Sequence, residues 1–267
     1  MKNEKGERRN DKRKMTMSLT AKDKLIVALD VETAQRAREL VNNLRELVGM
    51  FKIGLQLFTT AGPDFVREII RSGNRVFLDL KFHDIPNTVA AAGIEATRLG
   101  ISIFNLHAAG GSEMMLRTAD AVSEVAASEG LERPSVIAVT VLTSGNATIL
   151  SEIGIGSEPE QQVRRLALLA AASGMDGVVA SGHEVGLIRN AVERPDFLIV
   201  TPGVRPSRSP LNDQKRVMTP AQAVEAGSDY VVIGRPIINS RDPVTSTRQI
   251  VAEMEGDLSF AQEEGTA

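Results

Sequence analysis

The chain has no cysteine, no tryptophan, one tyrosine and three histidines. Without cysteine there are no disulfides, thiolate metal sites or cysteine nucleophiles, which fits a reducing, cytoplasmic compartment. Eight phenylalanines make up almost the whole aromatic complement, too few rings for a platform that stacks the bases of a single strand. The net charge of −3 supplies no general basic field for nucleic acid. His83, His107 and His183 show neither H-x-H nor H-x-x-x-H spacing, so no zinc site is expected. No run of 18 apolar residues occurs, so no membrane-spanning helix is expected.

What is present is ordinary for a globular protein: 42% hydrophobic and 24% charged residues in 267, enough for one large core. The charge is unevenly placed. Residues 1–14 hold seven Lys/Arg and three Asp/Glu, a net +4, leaving −7 for the remainder. That stretch has no apolar residue between Met1 and Met15, so it lacks the hydrophobic region of a signal peptide and cannot enter a core. Residues 1–20 are therefore expected to form a disordered extension, 21–256 a single domain, and the acidic 257–267 a flexible tail.

Within the domain, eight short apolar runs alternate with segments whose apolar residues recur at three and four. The runs are Leu25 to Leu29, Met50 to Ile53, Val76 to Leu80, Ile103 to Leu106, Val136 to Val141, Gly177 to Ala180, Leu198 to Thr201 and Tyr230 to Ile233. Near-continuous hydrophobicity is what strands covered on both faces require, as in parallel sheets with helical crossovers. Helices are expected over 34–47, 64–72, 88–99, 112–129, 161–173, 184–191, 220–226 and 243–255. Gly73, Gly100, Gly174 and Gly227 sit where a helix ends in left-handed geometry before the next strand. Eight such units predict a (β/α)₈ TIM barrel; an open, doubly wound sheet fits less well, since no G-x-G-x-x-G follows the first strand.

Ligand chemistry in a barrel gathers at the C-terminal strand ends. Four charges stand there where buried strands should still be apolar: Asp30 in IVALD, Lys52 in MFKIG, and Asp79 and Lys81 in VFLDLKFHDIPNT. Asp79 and Lys81 are two apart and so should share a face, aimed into the barrel mouth. Burying such a pair costs several kcal/mol, which a fold selected for stability alone would avoid. With Lys52 on the adjacent strand and Asp84 in the turn stiffened by Pro86, the charges alternate and can all stay ionised. Such an array can stabilise a carbanion and then deliver a proton to it.

The run Asp79 to Thr88, DLKFHDIPNT, resembles the signature of the orotidine 5'-phosphate decarboxylase family. The looser D-x-K-x-x-D core is shared with 3-keto-gulonate-phosphate decarboxylase and hexulose-phosphate synthase, whereas the H-D-I-P-N-T continuation resembles only the orotidylate branch. Further matches are ALD at 28–30, FKIG at 51–54, VTVLTS at 139–144, TPGVRP at 201–206, Gln214 and VIGRPI at 232–237, so the resemblance covers roughly 22–250. It implies decarboxylation of orotidine 5'-monophosphate to uridine 5'-monophosphate in pyrimidine synthesis, with no cofactor and no metal. Lys81 would be the proton donor and Asp79 the carboxylate beside the departing one. Lys52 and Asp84 would complete the array, with Asp84 and Thr88 reaching across a homodimer into the partner's site. Asp30 would bind the ribose, Thr143 the pyrimidine edge, and Arg205, Gln214, Gly234 and Arg235 the phosphate.

The phosphate end also has a physical basis. Barrels often hold phosphate with the loops after strands seven and eight, here Pro202 to Arg216 and Gly234-Arg235-Pro236. Gly234 allows close backbone approach, Arg235 offers a bidentate fork, and Pro236 can open a helical turn. The polar stretch 203–216, without helical period, reads as a closing lid. Of the histidines, His83 is expected to orient neighbours, His107 lies near the mouth and could meet ligand, and His183 is read as structural.

Overall fold

Eight parallel strands close on themselves in sequence order: β1 (Leu25–Ala28), β2 (Met50–Gly54), β3 (Val76–Phe82), β4 (Ile103–His107), β5 (Ser135–Val139), β6 (Gly177–Val179), β7 (Leu198–Pro202) and β8 (Tyr230–Ile233). The computed structural model describes residues 19–206 and 218–256. Closure is made by β1 and β8, paired through Leu25 with Val231 and Val27 with Ile233. The expected TIM barrel is the observed fold, and each strand lies on its expected run.

Strand periodicity divides the buried residues into two layers. Ile26, Ala28, Met50, Phe77, Ile103, Ile137, Val200, Tyr230 and Val232 fill the barrel interior, packed with Val179 and Leu198. Their neighbours, such as Val27, Phe51, Leu78 and Phe104, face outward into the larger core under the helices. The helix Ala34–Leu44 shows how the covering layer is specified. Thr33 caps it by accepting the Arg36 amide at 3.2 Å, and Ala37, Leu40, Val41 and Leu44 form its buried stripe. The four glycines expected to close helices do so at φ between 76 and 106°.

The largest difference from the expected elements lies after β2. The helical segment runs Leu55–Arg71, not from residue 64, with a break at Gly62 (φ 69°) before Pro63. Gly62 and Pro63 end the first stretch and open the second, so only the second half carries a clean helical start in the sequence. Short helices at Ala147–Glu152 and Arg235–Ile238 are likewise too brief to show a period.

At the end of the barrel away from the polar strand termini, two aspartates lock strand pairs. Asp176 Oδ2 accepts the Val136 amide (2.7 Å) and Arg133 (2.8 Å), and Asp229 Oδ2 accepts the Ile199 amide (2.7 Å) and Arg189 (2.6 Å). Each ties the start of one strand to the start of the next, leaving the opposite mouth for chemistry. Among the described residues, no helix is long and apolar enough to cross a membrane.

Candidate active site

Following the inward-facing residues along each strand, the interior turns from apolar to polar toward the C-terminal end. Ile26 and Ala28 lead to Asp30, Met50 to Lys52, Phe77 to Asp79, and Ile103 to Asn105 and His107. The same two-residue period that buries the core thus delivers five polar side chains to one mouth. Opposite them Val139, Val179 and Val232 stay apolar, so one wall is charged and the other greasy. The cavity they enclose holds about 270 Å³ and is also lined by Lys81, Thr143, Arg205, Gly234 and Arg235.

The charges form a single alternating row. Asp30 Oδ1 lies 3.0 Å from Lys52 Nζ, which is 3.2 Å from Asp79 Oδ2, and Asp79 Oδ1 is 2.6 Å from Lys81 Nζ. Only 12% of the Asp79 side chain and 10% of that of Lys52 is exposed, so solvent screens this pair little. Burial pushes the Asp79 carboxyl upward, but the Lys52 and Lys81 ammoniums, helped by hydrogen bonds from Lys81 and Asn105, outweigh it and hold Asp79 below the usual carboxylate range. Gly54 leaves room for the row: a methyl there would come within 3.0 Å of Lys52 Nζ and 3.4 Å of Asp30 Oδ1.

Lys81 reaches this row by a different route from simple alternation. Among the described residues it is the one non-glycine with positive φ, 52°, a conformation that costs roughly 1–2 kcal/mol for an L-residue. The pairing of β3 with β4 jumps from Leu78 opposite Phe104 to Phe82 opposite Leu106, so Asp79, Leu80 and Lys81 together face Asn105. This bulge, not strict alternation, turns the Lys81 ammonium back onto Asp79. Asn105, 1% exposed, spans the irregularity: its Oδ1 accepts the Lys81 amide at 2.8 Å, and its Nδ2 donates to Asp79 Oδ1 at 2.7 Å. Sequence reasoning missed Asn105, although an amide inside the apolar run Ile103 to Leu106 was a visible signal.

Asp84 does not join the row within one chain. It is exposed and accepts the Ile85 amide at 2.6 Å, while the fourth place beside Lys52 belongs to Asp30. Thr88 is also exposed, on the helix Pro86–Arg98, and neither lines the cavity. Thr143 and Arg235 are exposed at the cavity rim, whereas Arg205 is buried and its amide donates to the Met218 carbonyl at 3.1 Å. Gly234 packs against β1, its missing side chain pointing 3.3 Å from Ala28 Cβ. Gln214 and most of the expected lid lie outside the described residues. His83 and His107 face each other with ring centroids 5.4 Å apart. Burial, then His83 and Lys81, push His107 down from its ordinary value against an upward pull from Asp79, and the net shift favours its neutral form. His183 sits on the turn Gly182–Glu184 and does not line this cavity.

The arrangement is similar to that of known proteins. Residues 23–250 match the family model described as orotidine 5'-phosphate decarboxylase / HUMPS family. An orotidine 5'-phosphate decarboxylase of Syntrophotalea carbinolica is 55% identical over 242 residues, covering 91% of this chain and 99% of the relative. One from Geobacter sulfurreducens is 55% identical over 234 residues, 88% of this chain and 97% of the relative. The crystal structure of the Lactobacillus acidophilus orotidine 5'-phosphate decarboxylase superposes with a TM-score of 0.75 at 35% identity, covering 86% of this chain and 98% of that one. On the match along 23–250 and these identities, the chain belongs to the orotidine 5'-phosphate decarboxylase / HUMPS family.

Proposed function

We propose that this chain decarboxylates orotidine 5'-monophosphate to uridine 5'-monophosphate without a cofactor, through a carbanion that Lys81 protonates. The observation that carries the reading is the alternation of Asp30, Lys52, Asp79 and Lys81 at the mouth of the barrel, with Lys52 and Asp79 sheltered at its centre. Breaking the bond to the carboxylate releases carbon dioxide and leaves the electron pair on the pyrimidine carbon. An ammonium fixed beside that carbon stabilises the pair and then supplies the proton, and the resulting amine recovers its proton from water. Asp79, held ionised, keeps the Lys81 ammonium aimed until transfer, and stands where the substrate carboxylate leaves.

The remaining cavity residues suit the rest of the nucleotide. Asp30 is placed at the end of the row for the ribose hydroxyls, and Thr143 for the pyrimidine edge. Arg205, Gly234 and Arg235, with Gln214, take the phosphate. Residues 21–256 form the catalytic unit, and a chain without cysteine suits the reducing cytoplasm as its place of work.

The purified protein should bleach orotidylate absorbance with release of one carbon dioxide per nucleotide. A phosphorylated keto-sugar acid offered with magnesium, the substrate type of the metal-assisted branch of this family, should be left unchanged. Turnover of the keto-sugar acid alone would overturn the reading.

Asp84 and Thr88 enter the scheme through a homodimer. Both are exposed and neither lines the cavity of its own chain, so a role in the reaction needs a second chain. Each site is then composite, with Asp84 and Thr88 given by the partner. Mixing an Asp84→Ala chain with a Lys81→Ala chain should restore activity, because a hybrid dimer contains one site with both residues intact. Verified subunit exchange without recovery would show that each chain builds its site alone.

A further inference from the structure

The structure assigns Asn105 as a positioning residue for the decarboxylation proposed above, the group that sets Lys81 and Asp79 in register with each other. Three observations converge on it. Its side chain is fully buried in the barrel interior, where an amide has no place unless both its ends are satisfied. Both ends are satisfied by the two reacting-site residues themselves, through the Lys81 main chain and the Asp79 carboxylate. It stands opposite the three-residue irregularity in β3, where the ladder cannot hold the strand.

The chemistry required of this position is narrow. The Lys81 amide N–H has lost its strand partner to the bulge and needs an acceptor. Asp79 Oδ1 already takes the Lys81 ammonium at 2.6 Å, and needs a second donor that fixes its plane without adding charge. A carboxamide does both at once. A carboxylate would lack the donor and repel Asp79, and an aliphatic residue would leave the Lys81 amide unpaired inside the barrel. Asn105 thus holds the left-handed turn at Lys81 from the main-chain side, while it holds Asp79 from the side-chain side.

If so, removing the amide misplaces the proton donor without touching the groups that grip the nucleotide. Asn105→Ala should lower kcat on the order of 100-fold, the cost of a misplacement near 1 Å, with KM little changed. The acid limb of the kcat profile should move to higher pH, because Asp79 loses a donor that favours its charged form. Asn105→Asp, equal in shape, keeps the acceptor for Lys81 but should move that limb further, having set a second carboxylate against Asp79. The titration of the Asp79 carboxyl, followed by carbon-13 NMR, should shift upward in both variants, a readout that needs no turnover.

A folded Asn105→Ala enzyme with kcat within about twofold of wild type and an unmoved Asp79 titration would overturn the assignment. So would a loss confined to KM, or failure of both variants to fold, which would make Asn105 a requirement of the barrel alone. Wild-type protein that does not consume orotidine 5'-monophosphate would strike the functional reading instead, leaving the Asp79 titration to decide this one.

Discussion

Lys81→Ala should lower turnover by more than the roughly 10²- to 10⁴-fold that general acid catalysis alone provides, because in the proposed mechanism one side chain both stabilises the carbanion and gives the proton. Binding of the product nucleotide should fall far less, since the residues proposed to grip it, Thr143, Arg205 and Arg235, are other members of the cavity lining. The fold should survive. Asp79 keeps Lys52 at 3.2 Å and Asn105 at 2.7 Å, so its charge is not stranded in the barrel, and a residue that had to adopt a left-handed φ is replaced by one no worse suited to it. Steady-state kinetics with circular dichroism as the folding control checks this; a variant that keeps a tenth of wild-type turnover removes Lys81 from the role of donor. Asp79→Ala should be comparably severe, yet it should tighten ligands that lack the carboxylate by removing one negative charge from the pocket.

The second large effect is expected far from the bond that breaks. Arg235 is exposed at the cavity rim beside Gly234, so its guanidinium is available to an incoming phosphate. Binding energy from a non-reacting group can be used to organise the reacting centre, so the phosphate should raise turnover as well as affinity. Arg235→Ala should cut kcat/KM for the nucleotide on the order of 100-fold or more, which corresponds to losing a charge-assisted bidentate contact. For the nucleoside without phosphate the same substitution should change little. Equal losses on both substrates would place Arg235 in the support of the fold or of the pyrimidine end.

Much of this was legible in the sequence, for a physical reason. Strands buried on both faces need uninterrupted apolar runs, so eight such runs announced the barrel, and any charge at their ends stood out against them. Asp30, Lys52, Asp79 and Lys81 were visible in that way, and the structure brings all four together. The route by which Lys81 arrives was hidden, because alternation alone already predicts the right face, and a bulge leaves no mark in residue types when the residue at positive φ is not glycine. Asn105 was overlooked for the opposite reason: a neutral amide in a strand is a weaker anomaly than a charge, though it is buried more deeply than any of the four charges. The helix from Leu55 escaped because Gly62 and Pro63 read as the end of a loop. Asp84 carried a signal of charge without a signal of place. Spacing put it near the row, whereas the bend after Phe82 leaves it exposed and outside the cavity of its own chain.

Because a proton given to a carbanion must be removable by the same base, the central claim can be tested without any decarboxylation at all. Uridine 5'-monophosphate labelled with deuterium at the carbon that would bear the carboxylate should lose that label to water in the presence of wild-type enzyme, with the chelated and magnesium-supplemented protein equally effective, and should keep it in the presence of Lys81→Ala. Label loss catalysed equally by the Lys81→Ala chain, or loss by wild type only when magnesium is present, would contradict a carbanion held and protonated by Lys81.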